Sequence, residues 1–253
     1  MDLPRNHFKA AIRSGRHQLG FWCSLPSGYA AELVAGSGYD WLLFDTEHSP
    51  SDPIGVLEQL QAVAPYDVSA VVRPASNDPV LIKRILDVGA QTLLVPYVQS
   101  REEAEAAVAA MRYPPRGIRG VSGLTRATRF GRIPGYAKRA ESELCLLVQV
   151  ETGLALDRLE EIASVDGVDG VFIGPADLAA SLGYPGEPDH PDVAAAVENA
   201  ISRLKVLGKP AGILTANNTF ARRCIEIGTL FTAVGIDAGI LARGSEALAK
   251  SFR

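Results

Sequence analysis

Cysteine is scarce: three in 253 residues, at positions 23, 145 and 224, with no Cys-x-x-Cys pair among them. A disulfide framework and a structural zinc site are excluded by that count and spacing, and thiols kept reduced in a cytoplasmic setting are expected. Cys23 and Cys145, which fall on expected strands, read as small core hydrophobes. No apolar run reaches the ~20 residues that span a bilayer. The opening Met1-Asp2-Leu3-Pro4-Arg5-Asn6-His7 holds no apolar stretch of signal-peptide length, so no membrane partner is expected. Positive charge is short as well. With 25 Lys and Arg against 29 Asp and Glu, the net charge of -4 argues against a nucleic-acid partner. The six lysines, at 9, 83, 138, 205, 209 and 250, avoid the interior and carboxyl ends of every expected strand, and Lys209 falls just before one. Schiff-base chemistry, which needs a desolvated lysine in the site, is disfavoured on that ground. A G-x-G-x-x-G turn is also missing: Ser24-Leu25-Pro26-Ser27-Gly28 follows the first strand instead, which disfavours an open dinucleotide-binding sheet.

What is present is a regular alternation. At 47% apolar and 21% charged residues, the chain can bury a sizeable core. An amphipathic helix over 5–14, carrying Phe8, Ala11 and Ile12, is expected to lie across one end of the fold. Strands then begin at Leu19, Trp41, Ser69, Thr92, Cys145, Gly170, Ala211 and Leu230, with helical spacing between or after them over 28–35, 53–63, 79–88, 101–111, 152–169, 219–227 and 238–251. Eight strand-helix units predict an α/β fold: a closed (β/α)8 TIM barrel with an N-terminal helix, one domain over 1–253, whose active site lies on the loops after the strands. Two connections, 113–142 and 175–191, are longer than a barrel needs and are expected to be functional.

Chemistry-bearing residues gather at the strand ends. Cys145-Leu146-Leu147-Val148-Gln149-Val150-Glu151 and Gly170-Val171-Phe172-Ile173-Gly174-Pro175-Ala176-Asp177 are apolar runs of buried parallel strands, each ending in a carboxylate. Two carboxylates on adjacent strands with no cysteine suit a hard cation, Mg²⁺ or Mn²⁺, with the other positions left to water and a chelating substrate. Gln149 shares the inward face with Glu151 by the period of two, and either polarises a ligand or fills the core. The second strand ends Phe44-Asp45-Thr46-Glu47-His48. There Asp45 either orients His48 as a base or caps the loop, and Glu47 is the weaker candidate. The third ends Val71-Val72-Arg73-Pro74, placing a guanidinium fork for a carboxylate or enolate oxygen, or for a salt bridge to Asp45 or Glu151. The stretch 112–138 holds Arg112, Arg116, Arg119, Arg126, Arg129 and Arg132 and no acid. It is taken to follow the fourth strand and so to emerge on the catalytic rim, with Arg126 the candidate for an acidic aldehyde and a solvated surface or an intersubunit salt bridge the alternatives.

These stretches, together with Leu86-Asp87-Val88-Gly89-Ala90-Gln91, Pro115-Arg116-Gly117-Ile118-Arg119-Gly120-Val121 and Phe231-Thr232-Ala233-Val234-Gly235-Ile236-Asp237, resemble the HpcH/HpaI family of metal-dependent pyruvate aldolases over nearly the whole chain. The resemblance implies a barrel of the phosphoenolpyruvate/pyruvate type, reversible cleavage of 4-hydroxy-2-oxo acids to a 2-oxo acid and an aldehyde, and a hexamer built as a trimer of dimers. It carries a divalent metal onto Glu151 and Asp177, with Co²⁺ or Zn²⁺ as substitutes for Mg²⁺ or Mn²⁺. Arg73 becomes the pyruvate contact, and Asp45 with His48 the acid-base dyad. Backbone at Gly174 and Ala176, around Pro175, would hold the carboxylate; Leu214 would border the pocket, and Asp87 would reach a neighbouring subunit's aldehyde channel. Acyl-CoA ester cleavage, oxaloacetate decarboxylation, or 2-oxo acid binding without catalysis on the same scaffold are the alternatives.

Overall fold

The computed structural model describes residues 1–253. Eight parallel strands pair in sequence order and β8 closes onto β1, giving a (β/α)8 TIM-type barrel. The strands are β1 (Gln18–Cys23), β2 (Trp41–Asp45), β3 (Ser69–Arg73), β4 (Thr92–Val95), β5 (Cys145–Val150), β6 (Gly170–Ile173), β7 (Ala211–Leu214) and β8 (Phe231–Ile236). Around them run α1 (His7–Arg13), α2 (Gly28–Ala35), α3 (Pro53–Ala62), α4 (Pro79–Asp87), α5 (Arg101–Met111), α6 (Tyr136–Arg139), α7 (Gly153–Asp157), α8 (Leu159–Ala163), α9 (Pro175–Ser181), α10 (Pro191–Val206), α11 (Asn218–Ile227) and α12 (Asp237–Lys250). Local sequence fixes the helix starts. The side chains of Ser27, Asp52, Asp78, Ser100, Thr152 and Asn217 accept first-turn N–H groups, and Pro53 and Pro79 begin their helices where no N–H is needed.

Alternation along the strands divides the core in two. One set of side chains packs outward against the helices, in a cluster that includes Leu42, Phe44, Leu93, Val148 and Ile173. The other fills the barrel: Trp22, Trp41, Leu43, Val71, Leu94, Leu147, Phe172 and Phe231. Phe8 and Ile12 of α1 belong to this inner set, and Phe8 meets both Trp41 and Phe231 edge-on at 5.7 Å. The amphipathic helix therefore plugs the amino-terminal end of the barrel, and burying Phe8 alone contributes about 1.5–3 kcal/mol. Filling the interior with indole requires a gap opposite it: a Cβ on Gly20 would lie 2.0 Å from the Trp41 ring. With one end plugged, the mouth at the carboxyl ends of the strands remains for chemistry.

Several boundaries differ from expectation. The fourth strand stops at Val95 because Pro96 lacks a ladder donor and Tyr97 turns into the left-handed region, at φ 54°. The helix expected over 152–169 is two short ones, interrupted at Arg158, whose φ and ψ are -106° and 16°; both halves still turn apolar residues inward. The supposed loop 175–191 begins with α9, so Asp177 stands in a helical first turn and not at a strand end. The arginine-rich stretch follows α5 rather than β4. Helices run antiparallel to the strands, so it emerges at the rim opposite the expected one.

Candidate active site

Register brings the first group together: Asp45 and Arg73 are paired residues at the ends of β2 and β3. Arg73 donates from Nε to Asp45 Oδ1 at 2.8 Å and from Nη2 to Asp45 Oδ2 at 2.6 Å, and its Nη1 lies 2.9 Å from Glu47 Oε2. The guanidinium sits 4.9 Å over the Trp22 ring, whose indole N–H donates to Asp45 Oδ2 at 3.2 Å. Asp45 Oδ1 also accepts the Glu47 N–H at 3.0 Å. Burial raises the affinity of Asp45 for a proton, but the hydrogen bonds and charge of Arg73, helped by the Glu47 N–H and the indole, outweigh it and hold this carboxyl below the ordinary range.

The expected Asp45–His48 dyad is not made. Each Asp45 oxygen already accepts two donors, from Arg73 and from Trp22 or the Glu47 backbone, which uses its lone pairs. His48 is exposed on the rim, and the carboxylate beside it is Glu47, with Oε2 3.9 Å from Nε2. Arg73, for its part, spends its fork on Asp45, the salt bridge that was the alternative reading. Trp22 carried no signal in the sequence, because an aromatic on a barrel strand reads as core.

The second group lies across the mouth on β5 and α9. Glu151, 2% exposed, accepts the Tyr97 N–H on Oε1 at 2.9 Å and Gln149 Nε2 on Oε2. The left-handed turn at Tyr97 is what aims that N–H. Gln149 Oε1 is buried without a donor. Burial first, and then the charges of Asp177 and Glu47, outweigh these two hydrogen bonds and push the Glu151 carboxyl up to about 7. Glu47 is raised too, by burial more than Arg73 and His48 lower it, with Asp45 and Asp177 adding to the rise. Gly174 closes the floor: a Cβ there would stand 2.6 Å from Glu151 Oε2 and 3.1 Å from Gln149 Nε2.

A buried carboxylate facing a second one, with an orphaned amide oxygen alongside, is a donor set that lacks a positive charge. A hard divalent cation fits it. No group of three or more His, Cys, Asp or Glu comes together, so the protein would supply two carboxylates and leave the remaining positions open. Asp177 is exposed in the first turn of α9, and Ala176 precedes it. The Gly174 N–H is taken by Val150 O at 3.1 Å, contrary to the role expected for it, while α9 has no side-chain cap for its other first-turn donors. Leu214 borders the interior cluster from the end of β7.

The pattern of one protein family covers residues 18–243 of the chain: HpcH/HpaI aldolase/citrate lyase. The chain belongs to this family. It is a lyase enzyme of the HpcH/HpaI aldolase group. It is 72% identical over 252 residues to the pyruvate aldolase of Rhizobium etli, covering 100% of this chain and 99% of that one. It is 57% identical over 249 residues to the 4-hydroxy-2-oxo-heptane-1,7-dioate aldolase of Salmonella heidelberg, with 98% and 95% covered. A crystal structure of an HpcH/HpaI family protein from Burkholderia cenocepacia superposes with a TM-score of 0.94 at 39% identity, covering 98% of this chain and 99% of that one. Arg126, expected at the aldehyde end of this enzyme's own mouth, sits away from it, beside Asp87, which was expected to serve a neighbouring subunit. Asp87 ends α4 and pairs with the buried Arg119 at 2.9 Å, and Arg126 donates to Val88 O at 2.9 Å, both at the amino-terminal rim.

Proposed function

We propose that the mouth binds a 4-hydroxy-2-oxo acid and cleaves it reversibly to pyruvate, or a related 2-oxo acid, and an aldehyde. The observation that carries this reading is the buried Glu151 carboxylate, pushed up to about 7 by burial and by the facing Asp177 and Glu47. Carboxylates placed so need a cation, and a 2-oxo acid is a chelating ligand. A divalent cation held by Glu151 and Asp177 would supply a Lewis acid for the 2-keto oxygen, where negative charge develops.

The chain's own groups do the rest. Arg73, locked on Asp45 and stacked on Trp22, presents Nη1 as a fixed positive donor beside the developing enolate, without reorganisation during reaction. The first-turn N–H of Ala176 receives the substrate carboxylate, since Gly174 has spent its own. In the cleavage direction, His48 takes the proton of the 4-hydroxyl, the C3–C4 bond breaks, and the aldehyde carbonyl forms. The bond pair passes to C3 as the pyruvate enolate, which is then protonated. Glu47, which touches both Arg73 and His48, is the carboxylate that stabilises the imidazolium.

A homo-oligomer, arranged as a hexamer, belongs to this proposal. The apolar Ile240, Leu241 and Leu248 of α12 are each at least 60% exposed, which supports a subunit contact there. Asp87 and Arg126 would serve a neighbouring copy's aldehyde, as their own mouth lies at the other end. The test is exchange of pyruvate methyl protons in deuterated solvent with and without Mn²⁺. Cation-dependent exchange that Glu151→Gln abolishes is expected; binding of pyruvate without exchange would refute a catalytic reading.

A further inference from the structure

A large cavity of the molecule lies away from the catalytic mouth. It opens near the amino-terminal rim, has a volume of about 1000 Å³, and adjoins a second cavity of about 490 Å³ through Arg13, Val168, Asp169 and Lys209, which line both. Of the 21 residues lining the larger one, seven are Lys or Arg and four are Asp or Glu, in a protein whose overall charge is -4.

The four carboxylates are already engaged. Glu141 pairs with Arg112 at 2.8 Å and Arg116 at 2.9 Å, and Asp166 with Arg112 at 3.1 Å. Glu143 accepts the Asn6 N–H at 2.7 Å. Asp169 holds Arg13 at 2.9 Å and the Leu146 N–H at 3.0 Å, with Lys9 Nζ at 3.9 Å. Lys209 donates to Val168 O at 2.6 Å, which brings it no negative charge, and burial pushes its ammonium below the ordinary lysine value more than Asp169 and Asp166 raise it. The junction of the two cavities thus has three cations around one saturated carboxylate. At the outer lip Lys138 and Arg139 have no carboxylate partner at all; Arg139 reaches only Pro134 O, at 3.4 Å. A helix carboxyl end accounts for Arg112, which caps α5, but not for this excess. At the junction, where Lys9 is buried and Lys209 half-buried, positive charge in excess of carboxylate raises the free energy of the empty protein and is relieved by an anion.

We propose that this double cavity binds a small polyanion of metabolite size, carrying at least two phosphate or carboxylate groups. One group meets Lys9, Arg13 and Lys209 at the junction, and the other meets Lys138 and Arg139 at the lip. Neither end overlaps the catalytic mouth, so the inference does not depend on the proposed reaction.

The test is calorimetric titration of enzyme stripped of metal with EDTA and then exchanged into EDTA-free buffer, using sodium pyrophosphate and, separately, sodium citrate, at ionic strength matched with sodium chloride. Saturable binding tighter than about 1 mM in at least one arm is expected, and the stronger arm tells phosphate from carboxylate. The double variant Lys138→Glu/Arg139→Glu, on exposed side chains, and separately Lys209→Met, should each weaken it by about tenfold or more. Arg73→Lys should leave it unchanged. Three outcomes would overturn the proposal: no saturable binding of either anion, equal effects of sodium chloride alone, or variants that bind as wild type. A double variant that changes the oligomer mass in a protein that binds neither anion would reassign the cavity to a subunit contact.

Discussion

Glu151→Gln is predicted to strengthen the metal-free protein while abolishing its response to metal. In the wild type this carboxyl is buried and pushed from the ordinary 4.5 to about 7. The native state therefore binds its proton more tightly than the unfolded chain does. The sign follows: the protonated form favours the fold, and that advantage is lost as pH climbs from 4.5 through about 7. At about 1.4 kcal/mol per pH unit, the full loss is about 3 kcal/mol. Glutamine does not titrate, so the variant should exceed wild type by about 1 kcal/mol near pH 5 and about 3 kcal/mol near pH 8.5. Its hydrogen bonds survive. The amide oxygen keeps the Tyr97 N–H, and Gln149 can turn its unpartnered Oε1 to accept from the new NH2. Thermal unfolding in EDTA should show the gap widening by about 5–10 °C between those two pH values. Mn²⁺ should then raise the wild-type transition at the alkaline pH and leave that of the variant where it was. Parallel pH profiles for the two proteins would refute the burial account, and an Mn²⁺ shift of wild-type size in the variant would remove Glu151 from the cation site.

Asp177→Asn, on an exposed helical first turn, should lose the Mn²⁺ shift and turnover without the stability gain; a gain as large as that of Glu151→Gln would mean Asp177 is desolvated. Arg73→Lys keeps the charge but loses the fork on Asp45, so turnover should fall by at least about a hundredfold, and near-normal kcat would demote Arg73 to a structural ion pair. His48→Ala should slow aldol cleavage by ~2 to 4 powers of ten and pyruvate methyl exchange much less; equal losses in both assays would place His48 at the methyl proton instead.

The barrel was legible because strand and helix periods alternate cleanly and turn residues punctuate them, so Gly28–Ala35 and Arg101–Met111 emerge with the expected bounds. What sequence reading missed depended on where a chain segment leaves the fold. Counting the 112–138 stretch from β4 ignored α5, which returns the chain to the other rim and takes Arg126 with it. Partner choice was left open, with Asp45 read as a partner of His48 and, alternatively, of Arg73. Asp45 stands three residues before His48 and twenty-eight before Arg73, and only the parallel register of β2 and β3 makes the distant residue its neighbour. Tyr97 offered no signal either, because its contribution to the site is a backbone N–H set by a left-handed φ.

Three of the four carboxylates in the mouth are driven apart by their surroundings, and the separation supports the proposed division of work. Asp45 receives both edges of the Arg73 fork, an indole N–H and a backbone N–H, so it stays ionised below the ordinary range and serves as the fixed anchor of the guanidinium. Glu47 gets only the third nitrogen of Arg73, and burial leaves it raised. It is also the carboxylate beside the exposed His48, with Oε2 3.9 Å from Nε2. Glu151 has two neutral donors and no cation in the chain, and it is raised furthest. Supplying a second arginine there would satisfy Glu151 and close the site to metal; the sequence places Gln149 and Gly174 in that position instead, one neutral and one without a side chain. Within the mouth, the carboxylate charge left unmet by the chain is therefore concentrated at Glu151, where a cation and a 2-oxo acid are proposed to meet it together.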